Sequence, residues 1–177
     1  MDEPVADLDV LMLMGSASDW KHLEGAVRVM DDLGLSSRVK VSSAHRTPER
    51  TLELVRQAEA DGCRVFICAA GMAAHLAGVV AGHTLRPVLG VPLPGGVLDG
   101  VDALLSTVQM PGGIPVATFA VGSAGAKNAA YFAAQIVAAH RPEVGDALAA
   151  ARREGSDGVA AADARIQSEL EQKGTTL

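Results

Sequence analysis

The chain reads as an open α/β protein built on a parallel sheet, and three observations lead there. Apolar runs without alternation, Val10-Leu11-Met12-Leu13-Met14 and Val65-Phe66-Ile67-Cys68-Ala69, are the mark of strands buried on both faces. The segments that follow such runs carry apolar residues at helical spacing, so strands and helices alternate along the chain. Four strand ends then open into turns made of Gly, Pro, Ser and His, which is where ligands bind in open α/β sheets.

In order, the first strand breaks at Gly15-Ser16-Ala17-Ser18-Asp19-Trp20, and Leu23, Val27, Met30 and Leu33 mark a helix that Gly34 ends. Arg38-Val39-Lys40-Val41 is the second strand, followed by the turn Ser42-Ser43-Ala44-His45-Arg46. Thr47, Pro48 and Glu49 read as an N-cap, a proline at the first helical position and an early acid, opening a helix with Leu52, Val55 and Ala58 on one side. The third strand, 65–69, stops at Ala70-Gly71-Met72-Ala73-Ala74-His75-Leu76, whose small residues admit a close ligand or backbone. Pro87–Val91 is the fourth strand; Pro92-Leu93-Pro94-Gly95-Gly96 after it is too rich in Pro and Gly for regular structure and serves as a lid or wall. A short helix from about Asp99 to Val108, a turn at 109–113 and a fifth strand, Val116–Ala120, come next. An alanine-rich helix follows Gly125 and stops before Pro142. Beyond it, two further helices are expected, divided at Gly155-Ser156-Asp157-Gly158. The chain is thus read as one domain over 1–177, an α/β core over 1–141 with a C-terminal helical extension over 142–177.

Composition narrows the function classes. The formal net charge is −6, which argues against general nucleic-acid binding. Hydrophobic residues make up 49% and aromatics 3%, as suits closely packed small-residue helices. No apolar stretch free of Gly, Pro and charge is long enough for a bilayer, and Asp2, Glu3 and Asp7 do not resemble a signal peptide's basic start. Cys63 and Cys68 are expected on opposite faces of a strand, too far apart for a disulfide, so a reduced, cytoplasmic protein is the simpler reading. No His, Cys, Asp and Glu spacing suggests a metal site, and neither a P-loop nor a complete dinucleotide fingerprint is present. A G-x-S-x-G elbow is also missing, which leaves a serine hydrolase unsupported.

Candidate chemistry gathers in two turns. Backbone N–H groups after Gly15, with the hydroxyls of Ser16 and Ser18, suit a phosphate, while Asp19 accepts from ribose hydroxyls; capping of the helix by Ser18 or Asp19 is the alternative. His45 is the candidate acid/base, because an imidazole with a pKa near about 6.5 gives and takes protons near neutrality. Alone, such a histidine is more often a solvated loop residue. Its neighbours alter the balance: Arg46 holds an anion by a bidentate fork and Ser43 donates to the same anion. His75 opens a helix and either meets ligand or lies on the surface; His22, His83 and His140 read as structural.

Seven ordered motifs, among them Met14-Gly-Ser-Ala-Ser-Asp-Trp20, Ser43-Ala-His-Arg-Thr-Pro48, Ala73-Ala-His-Leu76, Val108-Gln-Met-Pro111 and Lys127-Asn128, resemble class I N5-carboxyaminoimidazole ribonucleotide mutases of purine biosynthesis up to about His140. The resemblance implies a flavodoxin-like three-layer αβα sandwich, assembled as a homo-octamer with active sites at subunit contacts. It implies conversion of N5-carboxyaminoimidazole ribonucleotide to 4-carboxy-5-aminoimidazole ribonucleotide without metal or organic cofactor. Functional coupling to an ATP-dependent carboxyaminoimidazole ribonucleotide synthase is implied too. Carried over by position, Ser16, Ser18, Ser43 and Arg46 bind the phosphate end and Asp19 the ribose. His45 is the general acid/base, and His75 with the turn Gly71, Ala73 and Leu76 stands near the carboxylate or imidazole. Met72 and Ala77 depart from the pattern Gly-Gly-Ala-Ala-His-Leu-Pro-Gly, and Pro94-Gly95-Gly96 from a more polar one. Two rivals remain: a class II relative that carboxylates aminoimidazole ribonucleotide directly with CO2, and a non-catalytic phosphate- or flavin-binding module on the same fold.

Overall fold

Five strands, all parallel, form one sheet in the order β2-β1-β3-β4-β5. The computed structural model describes residues 7–172; Asp2, Glu3 and residues 173–177 of the C-terminal extension lie outside them. The elements are β1 (Val10–Met14), α1 (Trp20–Asp32), β2 (Ser37–Val41), α2 (Pro48–Ala60), β3 (Val65–Gly71), α3 (Leu76–Ala81), β4 (Val88–Leu93), α4 (Val101–Val108), β5 (Ala117–Thr118), α5 (Ser123–Ala138) and α6 (Pro142–Gln172).

The unalternating strands sort their side chains into two cores. Val10, Met12 and Met14 of β1, with Val65, Ile67 and Ala69 of β3, face α1 and the alanine-lined side of α5. Leu11 and Leu13, with Phe66 and Cys68, face α2 and α3. Each strand alternates strictly, but both faces are covered, so its sequence shows no polar period. α4 covers β4 on the second face, where Thr107, Val116 and Ala77 leave no room for a side chain at Gly90: an added Cβ meets Thr107 Cγ2 at 2.4 Å. Gly125 allows α5 to start against the chain before it, since a Cβ there falls 1.6 Å from the Ala120 carbonyl oxygen.

At the amino ends of the strands, the carboxylate of Asp9 is fully buried. It accepts from Arg141 Nη1 at 2.6 Å and from the Ser36 N–H at 3.0 Å, and Arg64 lies 3.6 Å from its other oxygen. The start of α6, the entry to β2 and the entry to β3 are thereby tied to one charge.

Four expectations are corrected. Pro92 and Leu93 continue β4 with both residues buried, because their carbonyls and side chains fit a strand even though proline lacks an N–H. β5 shrinks to Ala117–Thr118 at the sheet edge. The segment 155–158 does not divide the extension: α6 is continuous over 31 residues. Glycine costs a helix only about 1 kcal/mol against alanine, and an alanine-rich stretch without proline absorbs that. Cys63 and Cys68 lie in the same core, because Cys63 precedes the strand and the two-residue alternation does not reach it; both are free thiols.

Candidate active site

The strand order places the site. After β1 the chain moves to one side for β2, then returns past β1 for β3, so the turns leaving β1, β2 and β3 meet at the carboxyl end of the sheet, at a topological switch point. β3 and β4 stay paired to Gly71 and Leu93, beyond Met14 at the end of β1, and the loop after β4 closes the same side. A cavity of about 620 Å³ results. It is lined by Ser16, Ser18 and Asp19 from the first turn and by Ser43, His45 and Arg46 from the second. Gly71, Ala73, His75 and Leu76 come from the third, and Pro94, Gly95 and Gly96 from the fourth. All ten site residues expected from sequence converge, together with the wall segment 94–96. Gly15, Ala44, Ala70 and Met72, none of them among those ten, complete the lining; the first three are small residues that keep backbone exposed.

Each turn has its own cause. Ser16 adopts an extended conformation and caps a 3-10 turn, Ala17–Asp19, that leads directly into α1. Its N–H donates to Asp19 Oδ2 at 2.9 Å, and its hydroxyl lies 2.9 Å from that of Ser18. Capping of α1 by Ser18 or Asp19 is not what forms: Asp19 makes no side-chain cap bond to α1, Ser16 caps the 3-10 turn instead, and both serines still line the cavity. Burial raises the Asp19 carboxyl from its ordinary value, against the opposing pull of the Ser16 N–H and of His22 and Lys21.

In the second turn Thr47 precedes α2 but makes no side-chain cap bond to it. Instead Thr47 Oγ1 accepts from the Ser43 N–H at 3.1 Å and donates to the Ser43 carbonyl at 3.1 Å. Beneath it, the buried hydroxyls of Ser42 and Thr51 lie 2.8 Å apart. The turn is thus closed by its own hydroxyls, and His45 and Arg46 project from it, both exposed. Arg46 makes no ion pair among the described residues. The amino ends of α1 and α2, leaving the first and second turns, add partial positive charge on the same side.

His45 Nε2 lies 2.8 Å from His75 Nδ1, with the rings edge to face at 81°. One ring donates and the other accepts, so the contact exists only when at least one of them is neutral. Sequence alone did not pair them, because they stand 30 residues apart on turns that only the strand order brings together.

Met72 occupies the left-handed region at φ 53°. For a residue with a Cβ this costs about 1–2 kcal/mol. Its carbonyl accepts from the Ala74 N–H at 2.9 Å, which tightens the turn ahead of His75. Among the described residues no group of three or more His, Cys, Asp or Glu side chains is placed to hold a metal ion.

A parallel sheet in this order, wrapped by helices on both faces and carrying a histidine pocket at its switch point, defines an α/β enzyme of the flavodoxin-like class. Residues 9–157 match the family model described as AIRC, AIR carboxylase, and the chain belongs to that family. It is 50% identical over 137 residues to N5-carboxyaminoimidazole ribonucleotide mutase of Pseudomonas aeruginosa, covering 77% of this chain and 84% of that one. The protein of the same name from Escherichia coli strain K12 is 50% identical over 135 residues, 76% of this chain and 80% of that one. Among solved structures, the crystal structure of Treponema denticola PurE superposes with a TM-score of 0.80 at 28% identity, covering 89% of this chain and 97% of that chain. No described helix is long and apolar enough to cross a membrane.

Proposed function

We propose that this enzyme converts N5-carboxyaminoimidazole ribonucleotide to 4-carboxy-5-aminoimidazole ribonucleotide in purine biosynthesis, with His45 as its general acid and base. The observation that carries the reading is the position of His45 between a serine-lined turn, Arg46 and a proline-glycine wall in one cavity. The phosphate lies against the Ser16 and Ser18 hydroxyls, Ser43 and the Arg46 guanidinium, and Asp19 accepts from the ribose. His75 and the Gly71, Ala73 and Leu76 turn face the imidazole and its carboxylate.

The reaction needs one proton in and one out. Protonated His45 gives its proton to the carbamate nitrogen; the N–C bond breaks, leaving CO2 and the free amine. The ring carbon then attacks CO2, forming a C–C bond, and His45 takes the hydrogen from that carbon. A positioned acid/base contributes on the order of 100- to 10,000-fold. The remainder comes from keeping CO2 against the ring in a pocket shielded from water. Because one imidazole makes both transfers, the reading calls for neither metal nor organic cofactor.

Assembly as a homo-octamer with the pocket near subunit contacts is part of the proposal. Apolar side chains beside the wall support it: Val97 is 96% exposed, and Leu98, Val101 and Leu105 are also uncovered. Light scattering checks the mass. A cytoplasmic location beside an ATP-dependent synthase that supplies the unstable carbamate completes the reading.

The decisive experiment is a spectrophotometric assay of purified protein with the carbamate, with a chelator present. Formation of the carboxylated product is expected. Turnover of aminoimidazole ribonucleotide plus CO2, with none of the carbamate, overturns it in favour of direct carboxylation.

A further inference from the structure

Met72 is the one cavity-lining residue other than glycine held at positive φ, and it is not tucked away: its side chain is 61% exposed at the cavity mouth. The direction in which it leaves the turn explains what the strained backbone achieves. A Cβ added to Gly96 comes within 3.2 Å of Met72 Cγ and within 3.2 Å of Asp102 Oδ2, so the thioether chain lies directly over the bare backbone of the wall. Gly96 itself sits at φ 68°, and Gly95 at φ 144°. Two of the three wall residues, Gly95 and Gly96, therefore have no side chain of their own, and Met72 supplies apolar surface over Gly96. Ser106 Oγ, on α4, donates to the Asp102 carbonyl of its own helix at 2.7 Å and lies 3.5 Å from the Met72 carbonyl. The β3–α3 turn thus lies beside α4, and the Met72 side chain reaches across to the loop after β4.

We propose that Met72 is a positioning residue that latches the Pro94-Gly95-Gly96 wall to the turn bearing His75, and that this contact limits escape of CO2 between its release and its recapture. The inference rests on the mutase reading, in which CO2 is free in the pocket for part of each turnover. A long, flexible, unbranched apolar side chain suits the task, since it adapts to an irregular glycine backbone and offers CO2 no hydrogen-bonding exit. Met72 touches no reacting atom; it acts by holding the wall closed.

The test compares Met72→Gly and Met72→Leu with the unaltered protein, using substrate labelled with 13C in the carbamate carboxyl and unlabelled bicarbonate in the buffer. Glycine accepts φ 53° without strain, so the fold is expected to survive, and thermal denaturation checks it. With the unaltered protein the label is carried into product. In Met72→Gly, after subtraction of spontaneous carbamate breakdown, label loss and release of decarboxylated aminoimidazole ribonucleotide are expected to rise about tenfold, with KM unchanged and Met72→Leu restoring retention. Retention by Met72→Gly equal to that of the unaltered protein overturns the latch, as does equal leakage from the leucine variant. If the unaltered protein itself forms no carboxylated product, the mutase reading falls and the latch with it. The three results are distinct in the same measurement.

Discussion

Replacing each histidine of the touching pair in turn separates the proton carrier from its neighbour. His45→Asn removes the acid/base group, worth on the order of 100- to 10,000-fold, which at about 1.4 kcal/mol per tenfold is about 3–5 kcal/mol of barrier. His75→Ala removes the 2.8 Å contact to His45 Nε2. Both rings are exposed, so water replaces the lost partner, and the net value of one such bond is about 0.5–1.5 kcal/mol, or about 2- to 12-fold in rate. The two substitutions should therefore differ by at least about tenfold in kcat, with KM changing little for His45→Asn. The assay is product absorbance under saturating carbamate, with circular dichroism to establish that both variants fold. A His75→Ala loss as deep as that of His45→Asn refutes the reasoning. It would mean that the pair transfers the proton as a unit, or that His75 is the carrier.

Two further outcomes follow from the site and its supports. Arg46→Ala removes a charge-assisted anion contact worth about 1.5–3 kcal/mol and should raise KM by about 10- to 150-fold with kcat little changed; a fall in kcat at constant KM contradicts its binding role. Asp9→Ala leaves Arg141 and Arg64 without their buried partner and should cost about 3 kcal/mol, lowering Tm by about 6–12 °C in calorimetry. An unchanged Tm would show that water already satisfies those guanidinium groups.

The parts of this molecule that sequence reveals are those decided locally. β1 and β3 stand out because a strand covered on both faces must be apolar throughout, and α2 because Thr47-Pro48-Glu49 restricts the chain there. The lining of the cavity was legible because glycine, serine and histidine gather at strand ends in the sequence itself. What sequence hides is set at a distance. β5 is only Ala117–Thr118, because its pairing reaches no further than Leu89 and Gly90 of β4. The His45–His75 contact depends on which strand lies next to which, and no local pattern encodes that order. Nor does the position of Asp9, immediately before an apolar run, announce that arginines from β3's entry and α6's start will converge on it.

The chain's only two thiols, Cys63 and Cys68, are enclosed in the layer shared with α2 and α3, and burial pushes Cys63 up to about 11 and raises Cys68 as well. Near neutrality neither offers a thiolate to a reagent in solution. Labelling must therefore wait for that layer to come apart, and the layer beneath α1 and α5 holds no sulfhydryl to confuse the signal. The protein carries its own stopwatch for the breathing of one side of its sandwich.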